Sequence, residues 1–87
     1  MDPEEISLFE ASLVREAGRL WDHFRSQGGP RPQLDWLWDL VRLAKHARVR
    51  GSRTLSERDR WWLQEAIRLY QQGGFEKLSK AVFQGKT

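Results

Sequence analysis

The chain has 87 residues, with fifteen Lys or Arg, twelve Asp or Glu and no cysteine. This length allows one small domain, and the absence of cysteine excludes a disulfide framework and thiolate metal sites. No apolar run approaches the roughly 20 residues that span a bilayer, and the first residues are acidic where a signal peptide is basic. We therefore expect a single soluble domain over residues 1–87, located in the cytoplasm and without a membrane partner.

The composition also carries a signature that is separate from function. Asparagine is absent, and eleven of the fifteen cationic residues are arginine. Such usage is typical of thermophilic proteins or of a GC-rich genome, and chance in a short chain is the alternative. All three interpretations concern the origin of the chain.

The charge is distributed unevenly along the sequence. Residues 1–39 carry four basic and eight acidic groups, a net charge of −4, whereas residues 40–87 carry eleven basic and four acidic groups, a net charge of +7. A strongly basic half favours a polyanionic partner, and nucleic acid is the first candidate.

The first predicted helix has a clear beginning and end. Asp2 can cap it, Pro3 suits its first position, and two acids follow in the first turn, where the helix dipole favours them. The helix is expected to stop before the Gly/Pro-rich segment 28–32. Apolar residues recur within it at spacings of three and four and form one buried side: Ile6, Phe9, Leu13, Ala17, Leu20 and Phe24.

The second predicted helix runs from about Leu34 to Arg48 and is apolar over most of its circumference. The wheel places Trp38 on the same side as Leu37, and only a narrow polar strip remains. Such a helix is expected at the centre of the fold, packed on two sides. The polar strip consists of Asp35, Asp39, Arg42 and His46.

The third predicted helix begins after residues 49–55 and ends at Gly73-Gly74, because glycine accepts the left-handed conformation of a helix C-terminus. Two residue pairs could form its N-cap with an acid three positions later: Thr54 with Glu57, or Ser56 with Asp59. Its apolar residues are Trp62, Leu63, Ala66, Ile67, Leu69 and Tyr70.

The fourth predicted helix is short and stops near Gly85, with Phe75, Leu78 and Val82 on its apolar side. No credible period-two alternation of apolar residues, typical of strands, occurs anywhere. The sequence therefore predicts an all-α fold, a compact bundle of four helices in which three are long, the C-terminal one is short and the second is central.

Six cations surround the predicted connection between the second and third helices, a segment that we call the basic turn (residues 45–60). The dipole at a helix C-terminus explains Lys45 and Arg48 on structural grounds alone, but not the other four. Arginines beside a Gly-Ser turn and a helix N-terminus suit phosphate oxygens, and a solvated basic surface is the alternative. The six are Lys45, Arg48, Arg50, Arg53, Arg58 and Arg60.

Trp61 is expected to be exposed, because it lies about 70° outside the apolar arc that contains Trp62. Its neighbours one and two turns away are polar, and they include Arg58 and Arg68. An exposed tryptophan beside arginines can stack on bases or anchor a protein interface together with Arg68. The alternatives are a surface cation–π pair with one of these arginines and a ring that fills a gap against the first helix.

The first helix has a second face of small residues beside one large aromatic ring. Glycine inside a helix costs about 1 kcal/mol relative to alanine, so Gly18 suggests that another backbone approaches closely. That element is either the fourth helix or a second protein, which makes Gly18 and Trp21 candidate interface residues. The face consists of Ser7, Ala11, Val14, Gly18 and Trp21.

No constellation predicts catalysis. Asp35 and Asp39 lie one turn apart, a spacing that can hold a divalent cation, but Arg42 and His46 continue the strip and favour a ladder of salt bridges. Two distant histidines form no zinc pattern, and no Ser or Thr has a nucleophile motif. No glycine loop has phosphate-binding spacing. We expect no enzymatic activity, no metal and no cofactor.

Two hypotheses about function follow. In size, helicity and charge layout, although not by motif, the chain is similar to small helical subunits of nucleoprotein assemblies, such as the backbone-binding small subunits of CRISPR surveillance complexes. The resemblance implies non-enzymatic contact with a nucleic-acid backbone, by shape or in single strands, as an accessory subunit of a larger complex. The alternative is a protein-interaction module that acts as an adaptor, inhibitor or small subunit, or that associates with itself.

Overall fold

The computed structural model describes residues 2–28 and 35–84, and the all-α prediction is confirmed for these residues. No strand occurs among them. Three α-helices and one short 3-10 turn make up the fold. Their bounds are α1 Pro3–Gln27, α2 Asp35–Arg50, the 3-10 turn Ser52–Thr54 and α3 Glu57–Gln84.

Helix α1 begins and ends as its sequence predicts. The Asp2 carboxylate accepts a hydrogen bond of 3.0 Å from the Glu4 backbone N–H, which satisfies one of the free donors of the first turn. Gly28 follows the last helical residue in the left-handed conformation, and its N–H donates to the Phe24 carbonyl over 3.1 Å. The predicted apolar side is confirmed, with Ile6, Phe9, Leu13 and Ala17 buried and Leu20 and Phe24 partly buried.

Helix α2 extends to Arg50, two residues beyond the predicted end, whereas Leu34 and the residues 29–33 before it lie outside the described part of the chain. The prediction that Trp38 is buried is wrong, because its side chain is 52% exposed. Trp38 lies about 100° around the helix from Leu37, on the far side from the other core residues. Those residues are Leu37, Leu40, Leu43, Ala44 and Ala47.

Helix α3 begins with the second of the two predicted caps. The Ser56 hydroxyl accepts a hydrogen bond of 3.2 Å from the Asp59 backbone N–H, three residues into the helix, as an N-cap requires. The Ser56 carbonyl accepts from the Arg60 N–H over 2.9 Å. Leu55, directly before the cap, is buried and fixes the start of α3 to the core.

The count of four helices is not confirmed, since α3 continues to Gln84 as one element with a kink inside it. Gly73 and Gly74 have non-helical backbone angles, and Gly74 has φ +71° and ψ −163°. The helical conformation is therefore interrupted at the glycine pair, as predicted, and helical structure resumes beyond it after a bend. Beyond the bend Leu78 is buried and Phe75 and Val82 pack against the core, as predicted, while Gly85 lies outside the described residues.

One core joins the three helices. Helix α2 contacts α1, the 3-10 turn and α3, and α1 also contacts α3. Phe9 of α1 meets Tyr70 of α3 edge to face, and Trp36 of α2 stacks on Phe75 beyond the kink, each with ring centroids 5.7 Å apart. Trp36 thus fixes the N-terminal end of α2, and the buried Ala47 anchors its C-terminal end, which leads into the basic turn.

Gly18 is not covered by another element of the described chain. A methyl group added there would meet no atom within 4 Å, so the predicted close approach of a C-terminal helix is wrong. Without that steric reason, alanine should be the better residue at this exposed helical position. We expect Gly18→Ala to raise the free energy of unfolding by about 1 kcal/mol in urea denaturation. A destabilised variant would show that something occupies this face.

Candidate nucleic-acid interface

The backbone of the basic turn is held by a compact set of hydrogen bonds. The Gly51 N–H donates to the Ala47 carbonyl over 2.9 Å, and the Gly51 carbonyl accepts from the Thr54 N–H over 3.2 Å. Gly51 has φ +92°, which residues with a Cβ rarely adopt, so glycine is needed where α2 ends. The turn is therefore a short rigid connection between α2 and α3.

Side chains close the same turn. The Thr54 hydroxyl donates to the Gly51 carbonyl over 2.8 Å, and the His46 Nε2 lies 2.7 Å from the same hydroxyl oxygen. A hydroxyl has one hydrogen, so the His46 Nε2 must carry the hydrogen of the second bond. The predicted polar residue His46 thus fixes the turn that carries the arginines.

Five of the six predicted cations have no carboxylate partner among the residues that the structure describes. All five are exposed except Arg60, which is half-buried. Elsewhere most cations are paired with an acid, as in Arg19–Glu16 at 2.6 Å and Lys80–Glu76 at 3.3 Å. The unpaired five are Lys45, Arg50, Arg53, Arg58 and Arg60.

Arg48 is the exception within the predicted set. Its Nε lies 2.6 Å from one carboxylate oxygen of Glu10, and a second nitrogen lies 3.4 Å from the other oxygen. The hydrogen bond and the charge of Glu10 raise the pKa of the Arg48 guanidinium above its ordinary value. Arg48 therefore joins α2 to α1, and its charge is largely committed within the fold.

Two acids reduce the positive charge of the basic turn. Glu57 and Asp59 lie in the first turn of α3, where the helix dipole stabilises negative charge. Neither forms an ion pair in the described chain, so the nearby arginines remain available to an external anion. The turn keeps a positive balance, because it carries five unpaired cations against these two carboxylates.

Trp61 is 62% exposed, as predicted, and has no ring contact with any described residue. The alternative of a cation–π pair with Arg58 or Arg68 is therefore not formed among the described residues. Two grooves meet at Trp61. One, of about 400 Å³, lies between α2 and α3 and is lined by Asp39, Arg42, Leu43, Arg58, Asp59, Trp61 and Trp62. The other, of about 500 Å³, lies between α1 and α3 and is lined by Asp2, Glu5, Trp61, Gln64, Glu65, Ile67, Arg68 and Gln71.

The predicted interface residues fall on two surfaces. Arg68 donates to Glu65 one turn away, and this hydrogen bond lowers the pKa of the Glu65 carboxyl. Trp21 is 39% exposed and contacts Phe24 at a centroid distance of 5.7 Å. Gly18 and Trp21 belong to the outward side of α1, whereas Trp61 and Arg68 lie on α3.

The predicted salt-bridge ladder is confirmed in its central pair. Arg42 lies 3.4 Å from the Asp39 carboxylate, and both side chains are exposed. Among the residues that the structure describes, no group of three or more His, Asp or Glu could hold a metal ion. Asp35 and Asp39 are thus surface acids, and Asp39 is held by its neighbouring arginine.

Comparisons with known proteins give no relative to reason from: no family model, curated protein or solved structure matches this chain. Within the described residues, no helix combines the length and apolar character that crossing a membrane requires. A function for this chain is therefore inferred from its own residues alone.

Proposed function

We propose that the chain is a small, non-enzymatic nucleic-acid-binding protein, or an accessory subunit of a nucleoprotein complex, that holds the phosphate backbone through its basic turn. The cytoplasm is its expected location. Lys45, Arg50, Arg53, Arg58 and Arg60 would contact phosphate oxygens. Arg48 is left out of this set because Glu10 already accepts its hydrogen bonds.

The observation that carries the proposal is the contrast between paired and unpaired cations. Carboxylates neutralise Arg19, Arg42, Arg48, Arg68 and Lys80, each within 4.0 Å. Of the eight described cations without an ion pair, five surround one turn, and the other three (Arg15, Arg25 and Lys77) are spread over α1 and α3. Exposed like charges repel one another and contribute nothing to folding, so an external polyanion gives them a function. Arginine is also well suited to phosphate, because its planar fork donates two parallel hydrogen bonds.

The salt dependence of binding tests this proposal. If the five cations contact single-stranded phosphates, the logarithm of the association constant should fall with the logarithm of salt concentration with a slope near −3.5, about 0.7 per contact. Fluorescence anisotropy of labelled single- and double-stranded oligonucleotides at several salt concentrations measures this slope. Absence of salt-sensitive binding to either form at micromolar protein would contradict the proposal.

The outward side of α1 favours a second candidate, a protein-interaction module. Val14 is 47% exposed and Trp21 is 39% exposed on this helix, one turn before and one turn after the open position at Gly18. Apolar side chains together on one exposed helix face are typical of protein contacts. Self-association would appear in size-exclusion chromatography with light scattering, and Trp21→Ala should weaken it. A strict monomer would contradict the homo-oligomeric form of this candidate.

A further inference from the structure

The groove between α2 and α3 opens directly beside the basic turn. Trp62 packs against the core at this groove, while Trp61 is exposed and has no ring contact in the described chain. Arg42 stands on the α2 wall and Arg58 on the α3 wall. An apolar surface between two arginines suits a nucleic-acid base, which is a flat ring flanked by negatively charged phosphates along its strand.

A second exposed tryptophan lies on α2, next in sequence to the groove residue Asp39. Trp38 is 52% exposed and stands one helical turn before Arg42 on α2. At about 100° per residue, Trp38, Arg42 and Lys45 lie within about 60° of one another. This face of α2 therefore leads from Trp38 past the groove wall to the basic turn, with cations placed between the two tryptophans and the turn.

The acids in the groove indicate which part of a nucleic acid could enter it. Asp39 and Asp59 both line the groove. Their carboxylates repel phosphate oxygens, whereas they accept hydrogen bonds from the N–H groups of unpaired bases, including the N3–H of thymine. Phosphates are therefore favoured outside the groove, on Arg58 and the basic turn, and a base is favoured inside it.

We propose that the ligand of the basic turn is a single-stranded nucleic acid whose bases stack on Trp61, at the groove, and on Trp38, at the far end of the α2 face. This inference rests on the proposed function and names the substrate class of the same site. A duplex keeps its bases stacked inside, so it cannot offer their flat faces to a tryptophan, whereas every base of a single strand can. A protein partner fits less well, because Asp39 and Asp59 line the groove and aspartate is depleted at protein interfaces.

The inference is tested with two strands that differ only in their bases. One is an oligothymidine of about twelve nucleotides, long enough to cover a binding site of this kind, and the other is an abasic strand with the same number of phosphates. Each stacked base contributes about 1–3 kcal/mol, so the wild-type protein should bind the oligothymidine at least about 5-fold more tightly than the abasic strand. This comparison requires no variant.

Variants then assign the preference to the tryptophans. We expect Trp61→Ala to lose about 5-fold or more in affinity for oligothymidine and to bind the abasic strand unchanged, and Trp38→Ala to behave in the same way. Trp61→Phe should retain most of the preference, because a smaller aromatic ring still stacks. Leu8→Ala is the matched control, since Leu8 is 64% exposed on α1 and lines neither groove at Trp61. Thermal unfolding of each variant verifies that it is folded.

The possible outcomes separate the inference from the proposed function. Equal, salt-sensitive binding of both strands overturns the stacking while leaving the phosphate contacts in place. Absence of salt-sensitive binding to both strands overturns the proposed function as well. If the tryptophan variants change the oligomeric state and leave oligothymidine binding unchanged, the two rings belong to a protein interface and the inference is wrong.

Discussion

Replacing both Arg50 and Arg53 by glutamine is expected to weaken binding of a single-stranded oligonucleotide roughly 25-fold at about 0.1 M salt. Each lost phosphate contact removes about 0.7 from the salt exponent, and two contacts at this salt concentration correspond to that factor. Both residues are exposed, and neither forms an ion pair with a described residue. The double variant should therefore fold like the wild type, and anisotropy titrations measure the loss of affinity.

The matched control replaces Arg15 and Arg25 by glutamine on α1. These two arginines are also exposed and lack an ion pair with a described residue, and their removal changes the net charge by the same amount. We expect the control to bind within about twofold of the wild type, because its charges lie away from the basic turn and salt screens them beyond about 10 Å. Equal losses in both double variants would show that net charge, not the turn, determines binding.

Gly74→Ala is expected to destabilise the fold strongly. Gly74 has φ +71° and ψ −163°, a combination that is essentially restricted to glycine. A side chain there costs about 1–3 kcal/mol, which corresponds to a fall in Tm of about 4–8 °C for each kcal/mol in a domain of this size. Calorimetry or circular dichroism measures the shift.

Gly18→Ala is the internal control for this experiment, because the same chemical change is expected to have the opposite sign at the open helical position. The loss at Gly74 should also undo the bend that brings Phe75 onto Trp36. Tryptophan fluorescence should therefore change in the Gly74 variant and remain unchanged in the Gly18 variant. An unaltered Tm for Gly74→Ala would show that α3 does not need its kink.

Features set by neighbours along the chain could be predicted from the sequence. The Asp2 cap, the Gly28 end of α1 and the Ser56 cap of α3 each depend on a few adjacent residues, and all three are present. The buried side of α1 follows from a single helical period. These local rules were sufficient for the all-α fold and for the placement of the basic turn between two helices.

Features set by distant residues could not be predicted. Trp38 lies on a helix that is apolar over more than half of its circumference, and only contacts with α1 and α3 decide which arc is buried. The partner of Arg48 is Glu10, which is 38 positions away in the sequence. The sequence around Gly18 is the same whether another element packs against this glycine or not, so it does not show which of the two applies. Two adjacent glycines also give the same sequence pattern at a kink between two helical stretches as at the end of a helix.

The candidate site was predictable only in part. The exposure of Trp61 and the cation cluster follow from sequence positions, whereas the groove beside them requires α2 and α3 to be packed together. The sequence predicts a salt-bridge ladder for Arg42 and a buried position for Trp38, whereas the structure places Arg42 in the wall of this groove and leaves Trp38 exposed one helical turn earlier. Their position relative to Trp61 follows only from the folded structure, since no sequence motif joins them to it.

We propose that the cations of the basic turn contact phosphates, and the salt dependence of binding tests these contacts directly. The association constant for a single-stranded oligonucleotide is measured across a range of salt concentrations for the wild type, the Arg50/Arg53 variant and the Arg15/Arg25 control. If Arg50 and Arg53 contact phosphates, the slope of log K against log salt becomes shallower by about 1.4 in the first variant and is unchanged in the control. Equal slopes in all three proteins would contradict the proposed contacts.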